Sequence, residues 1–208
     1  KDCRWIQKLH SYGLLAPAFR PEKSITVLRN YWRQRQGLIA SCAQQIHLLH
    51  KALDQMNVQV HKVLSDITGQ SGMRIVRAIV AGERDREKLA SLCHSGIKCT
   101  QAQVARALEG NYRAEHVFAL GQALEAHDFF QHQLEAADRA LEAQIATVPS
   151  RHTEPREDRP QAQTRAKRRK NQPHFDLREQ LRRISGVDLT RVEGIDASLN
   201  LGQDAGDG

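Results

Sequence analysis

The sequence has few aromatic side chains, 5% of its 208 residues, and only 40% of it is hydrophobic. A single large sandwich or barrel, which relies on aromatic and β-branched residues, is a poor fit to that composition. No apolar run approaches the roughly 18 to 20 residues that a membrane span needs, and no signal peptide is recognisable. The four cysteines, Cys3, Cys42, Cys93 and Cys99, show no CxxC spacing, which argues against a zinc ribbon or a disulfide framework. Free thiols and a cytoplasmic location are expected. The motifs HExxH, GxSxG and the phosphate-cradling P-loop are all missing, as is any carboxylate pair at helical spacing with a histidine.

What the chain does contain is Ala, Leu, Gln and Arg in quantity, a mixture that favours helices. From Ile25 to Val60 a line of positions spaced alternately three and four apart passes through Leu28, Trp32, Arg35, Cys42 and Leu49. A second such line runs from Val117 to Val148 through Leu120, Leu124, His127, Gln131 and Asp138. These are heptad seams. Their similar lengths predict an all-α fold, a long antiparallel coiled-coil hairpin with a small helical cluster (58–110) at its tip. The polar seam positions His127, Gln131 and Asp138 are expected to set register or face solvent. His47 and His50, three apart on the first long helix, could ligate a metal only with a third ligand nearby, and none is evident; solvated flanks of the seam are expected. A weak helix-turn-helix pattern spans Thr100 to Gly110, but its following helix is acidic rather than groove-reading.

The net charge of +7 is unevenly spread: +6 over residues 1–57, +3 over 58–110, −4 over 111–147, +5 over 148–173 and −3 over 174–208. Two basic zones flanking an acidic helix point to a polyanionic partner. Candidate nucleic-acid contacts are Arg4, Lys8, Arg20, Arg29, Arg33 and Arg35, interleaved with Tyr31 and Trp32, and the run Arg165, Lys167, Arg168, Arg169 and Lys170. Arginine pairs with phosphates and aromatic rings stack on unpaired bases. Residues 149–173 lose apolar periodicity and gain proline, which predicts a disordered basic linker; short helices are expected at 175–184 and 189–195.

Five separated strings share a further resemblance. They are Asp2-Cys3-Arg4-Trp5-Ile6-Gln7-Lys8-Leu9-His10-Ser11-Tyr12-Gly13-Leu14-Leu15-Ala16-Pro17 followed by Phe19-Arg20-Pro21; Val63-Leu64-Ser65-Asp66-Ile67-Thr68-Gly69; Ile79-Val80-Ala81-Gly82-Glu83-Arg84-Asp85; Gly110-Asn111-Tyr112-Arg113-Ala114-Glu115-His116; and Ile184-Ser185-Gly186-Val187-Asp188-Leu189-Thr190. In this order they resemble the bacterial insertion-sequence transposases of the IS one-ten family, which includes the Piv and MooV recombinases. The resemblance implies a RuvC-like domain whose four acids, in a DEDD pattern, hold Mg2+, then a coiled-coil region, then a transposase domain with a serine nucleophile. It also implies guidance to DNA by a bridge RNA. Asp2 matches the last of the four acids, and so becomes the candidate catalytic and metal-binding residue.

On that reading, residues 1–21 are the end of the RuvC-like domain and 22–148 the coiled-coil and helical-cluster domain. Residues 149–173 are the basic linker, and 174–208 the start of the transposase domain. The first residue is Lys1 rather than Met, and the other three acids and the serine motif are not in the sequence. A fragment truncated at both ends is therefore expected, one that contributes nucleic-acid backbone binding and self-association to DNA transposition without tight Mg2+ binding of its own. The alternative is a stand-alone α-helical coiled-coil protein that binds nucleic acid or another protein without catalysis.

Overall fold

The computed structural model describes residues 2–15, 22–94, 96, 99–150 and 171–186. These residues are mostly helical, and no strand occurs among them. The elements are α1 (Asp2–Ser11), α2 (Lys23–Gln55), α3 (Val60–Val63), α4 (Gln70–Val80), α5 (Arg86–Ser91), α6 (Gln101–Ala107), α7 (Ala114–Thr147) and α8 (Leu177–Ser185). The 33 residues of α2 and the 34 of α7 make rods of about 50 Å each at 1.5 Å per residue. They lie along one another in opposite directions. Arg35 meets Asp138 and, seven residues further along α2, Cys42 meets Gln131, seven residues earlier on α7.

α2 ends five residues before the end of its seam, and the reason is local. Asn57 adopts a left-handed conformation (φ 57°), so the chain turns; Val58 N donates to Leu53 O at 2.9 Å and Asn57 N to Asp54 O at 2.9 Å. This pair of bonds is a Schellman motif with asparagine in the position usually taken by glycine. Val60, expected at the end of the first seam, falls instead in the single-turn helix α3 and is fully buried in the tip.

At the tip the segments leaving α2 and entering α7 touch directly. Gln59 N donates to Ala107 O at 2.8 Å, and Asn111 N to Met56 O at 2.7 Å. Between them sits the main core, which includes the fully buried Leu53, Met56, Ile75, Ile79, Leu89 and Leu108. α4 supplies much of it because Met73, Ile75, Val76 and Ile79 all lie inward. α5 starts on Asp85, whose carboxylate accepts from the amides of Glu87 and Lys88. Thr100 and Gln103 form a reciprocal capping box on α6. In the expected helix-turn-helix segment, α6 packs on α5 and α3.

Two glycines test this packing in opposite directions. A Cβ on Gly72 would overlap the carbonyl oxygen of Ile67, whereas one on Gly37, midway along α2, would meet nothing within 4 Å. Gly72→Ala is expected to lower unfolding free energy by roughly 1–3 kcal/mol through overpacking. Gly37→Ala should raise it by roughly 0.5–1 kcal/mol. Urea denaturation followed by circular dichroism reads both, and equal effects of the two substitutions would contradict the packing described.

Candidate nucleic-acid interface

At the end of the helix pair opposite the tip, α2 begins and α7 finishes, and the segment 171–186 closes over both. Arg35 is the hub. It is 1% exposed; its Nε donates to Asp138 Oδ1 at 2.5 Å and its Nη2 to the carbonyl of Asn171 at 3.0 Å, while the guanidinium lies 5.5 Å from the Trp32 ring centroid. The other carboxylate oxygen of Asp138 lies 3.5 Å from Nδ1 of His174, whose Nε2 is 3.1 Å from Glu142 Oε2. Pro173 is buried beside them. Further along, Arg183 of α8 donates to Ile145 O at 2.6 Å and Val148 O at 3.3 Å, so carbonyls at the end of α7 gain a cationic donor. Asp176 caps the start of α8 by accepting from Glu179 N, and Gly186 ends it with a φ of 75°.

These positions correct one expectation. Arg35, grouped by sequence with the phosphate-facing arginines, is a buried residue whose donors are used inside the protein. The polar seam position Asp138 is its partner, so the two charges that look out of place in the separate seams neutralise each other across them. Arg29 and Arg33, by contrast, are exposed on α2, as are Arg4 and Lys8 one turn apart on α1. Tyr31 is 38% exposed and Trp32 half-buried. Arg20 and the run Arg165, Lys167, Arg168, Arg169 and Lys170 lie outside the described residues. Further exposed cations lie on the elements that meet at this end, among them Arg139 on α7 and Arg182 on α8. The sequence reading missed them because α7 is acidic overall and α8 carries no buried residue to mark it.

Asp2 is exposed near the start of α1, and among the described residues no group of three His, Cys, Asp or Glu side chains could hold a metal ion. Asp2 and the described residues around it do not fit a Mg2+ site, which requires several oxygen ligands around one point.

The other site expected to be solvated is partly enclosed. His50 pairs with His61 of α3, not with His47; the two imidazoles stack with centroids 5.1 Å apart, and His61 Nε2 lies 3.3 Å from Asp54 Oδ1. Burial, then the neighbouring His61 and His47, push the pKa of His50 below its ordinary value of 6.5. The four cysteines are free thiols; Cys42 is buried between the long helices, and burial pushes its pKa up. No helix among the described residues is long and apolar enough to cross a membrane. No family model, no curated protein and no solved structure matches the chain.

The buried ion pair makes a sharp prediction. Asp138→Ala leaves the Arg35 guanidinium enclosed without its counter-charge and is expected to cost about 3–5 kcal/mol. Arg35→Met combined with Asp138→Leu should be more stable than either single variant in chemical denaturation. If the double variant instead loses the sum of the two single effects, the pair is not coupled.

His50 gives a pH dependence. Because folding lowers its pKa, the unfolded chain takes up the proton more readily. The contribution of neutral His50 is present above pH 6.5 and is lost as pH falls through that value towards the depressed folded one. Melting temperatures measured from pH 7.5 down to about 5 should therefore fall less in His50→Gln than in the parent chain, and an identical fall in both would remove His50 from the acid response.

Proposed function

We propose that this chain is the nucleic-acid-binding and self-associating middle region of a transposase of the IS one-ten type. It grips the phosphate backbone of DNA or of a structured guide RNA and brings copies of itself together in DNA transposition. In this reading α2 and α7 form an antiparallel coiled coil whose polar seam position Asp138, paired with Arg35, sets its register. One observation carries the binding half: Arg35 holds Asn171, the residue directly after Lys170, two residues along α2 from Arg33 and under two turns from Arg29. Chain continuity therefore ties one end of the basic run 165–170 to the end of α2 that also carries Arg29 and Arg33, on its other side. At this end two of the acids of α7 are engaged, Asp138 by Arg35 and Glu142 by His174, which favours binding here over binding along the whole rod.

Strand exchange is assigned in this proposal to the intact family architecture, and Asp2 by itself does not make a metal site. Purified chain is expected to bind duplex DNA and structured RNA without cutting or joining DNA in Mg2+.

Fluorescence anisotropy with labelled duplex and hairpin RNA tests the binding half. Affinity should fall steeply between about 50 and 200 mM salt, because each neutralised phosphate releases condensed counterions. Replacing Arg165, Lys167, Arg168, Arg169 and Lys170 together with glutamine should flatten the logarithmic salt slope by about 0.9 for each phosphate that is no longer neutralised. Binding that ignores salt, or a slope unchanged by the five substitutions, would refute the interface. Magnesium-dependent recombination abolished by Asp2→Ala would refute the assignment of catalysis elsewhere.

A further inference from the structure

The apolar side chains of α3 to α6 pack into the interior of the tip, and on its outer surface a hollow of about 620 Å³ lies between α3 and α6. Its two walls carry the same pair of groups, an amide and a cation three residues further on: Gln59 and Lys62 on one, Gln103 and Arg106 on the other. Residues three apart share a helical side, so each wall offers its amide and its cation to the same space. Val63 and Ala107 give the hollow an apolar part.

The state of the polar groups decides what the hollow can hold. Lys62 and Arg106 are exposed, and among the described residues neither has an acidic partner. The carboxylate that lines the hollow, Glu109, is engaged by Arg86 of α5. Two backbone carbonyls that would repel an anion are occupied: that of Val63 accepts from the Cys99 thiol, and that of Ala107 accepts from Gln59 N. The side-chain amides are half used. Gln103 Oε1 accepts from Thr100 N, and Asn57 Oδ1 accepts from Gln59 Nε2. Among the described residues this leaves the NH2 groups of Gln103 and Asn57 open as donors and the Gln59 carbonyl as an acceptor.

We propose that this hollow takes one unpaired nucleotide of a bound nucleic acid, its phosphate between Lys62 and Arg106 and its base edge on the open amide groups. Three features select that ligand. Two cations on opposite walls without counter-charges favour an anion, and a phosphodiester is the anion that the open end of the molecule is proposed to grip. The space falls within the range of small-molecule sites, far more than a bare phosphate fills, yet a duplex could rest only on its rim. Asn and Gln side chains offer donor and acceptor together, as base edges do, and an unpaired base exposes the edge that a duplex hides. Val63 and Ala107 then lie against the apolar face of the base or the sugar.

This inference rests on the reading that the chain binds nucleic acid, and the experiment separates the two. Fluorescence anisotropy of the full chain compares a blunt RNA duplex with a hairpin of the same stem and an unpaired loop, and the parent should bind the hairpin more tightly. Lys62→Gln with Arg106→Gln should weaken hairpin binding by about tenfold while leaving duplex binding and helicity unchanged. In parallel, adenosine monophosphate should slow the alkylation of Cys99, which lines the hollow, without slowing that of the exposed Cys3; inorganic phosphate should protect less, and the double variant should lose the protection. A parent that binds neither RNA overturns the nucleic-acid reading and this inference with it. Equal binding of duplex and hairpin by the parent, or a double variant that weakens both alike, overturns the hollow alone. Protection by inorganic phosphate as strong as by the nucleotide makes this a plain anion site and overturns the proposal.

Discussion

Two charges taken out of water and set against each other, Arg35 and Asp138, constrain how α2 and α7 can align. A slip of seven residues between α2 and α7 would break the backbone bond from Asn111 N to Met56 O at the tip. It changes Arg35 and Asp138 completely. Moved by seven residues, Arg35 would lie against Gln131 or Ile145, and Asp138 against Leu28 or Cys42, leaving both charges buried without a partner. The pair therefore fixes, at this end, the alignment of the two long helices that the backbone junction fixes at the other. That alignment in turn decides where Asn171, His174 and Arg183 find their partners.

The far end is closed by a different kind of contact. Asn57 turns the chain out of α2, and the backbone carbonyl of Met56 accepts from Asn111 just before α7 begins. Gly110 fits there because a Cβ would lie 2.5 Å from that same carbonyl. The long helices are thus held by a backbone junction at one end and by an ion pair at the other. Helices α3 to α6 fill the tip with apolar side chains, whereas the open end presents cations.

Much of the helical architecture could be read from residue spacing, because the three-four alternation through Leu49 and Leu53, or through Leu120 and Leu124, reflects burial along a continuous side of one element. Individual sites were less legible for reasons that differ from residue to residue. Arg35 looked like a phosphate contact because it stands among Arg29, Arg33, Tyr31 and Trp32; its partner is more than a hundred residues away, and no local pattern links them. His50 is partly enclosed where a solvated flank is expected, for the same reason, since His61 reaches it only after the turn at Asn57 reverses the chain. That turn could be anticipated only in part, because asparagine is tolerated in the left-handed region without being confined to it. The exposed aromatic residues Phe118 and Phe129 fall outside the heptad seam, so a search for seams passes over them.

The contacts that hold 171–186 in place have a topological consequence. Asn171, His174 and Arg183 bind to α2 and α7 through groups that belong wholly to the two sides of the junction, and none of these bonds uses the chain between 151 and 170. A covalent break in that stretch would therefore separate the polypeptide into two pieces without removing any of these bonds. The carboxy-terminal piece would remain as a non-covalent subunit, kept by a guanidinium at each end and an imidazole between, and the ion pair of the long helices would stay covered.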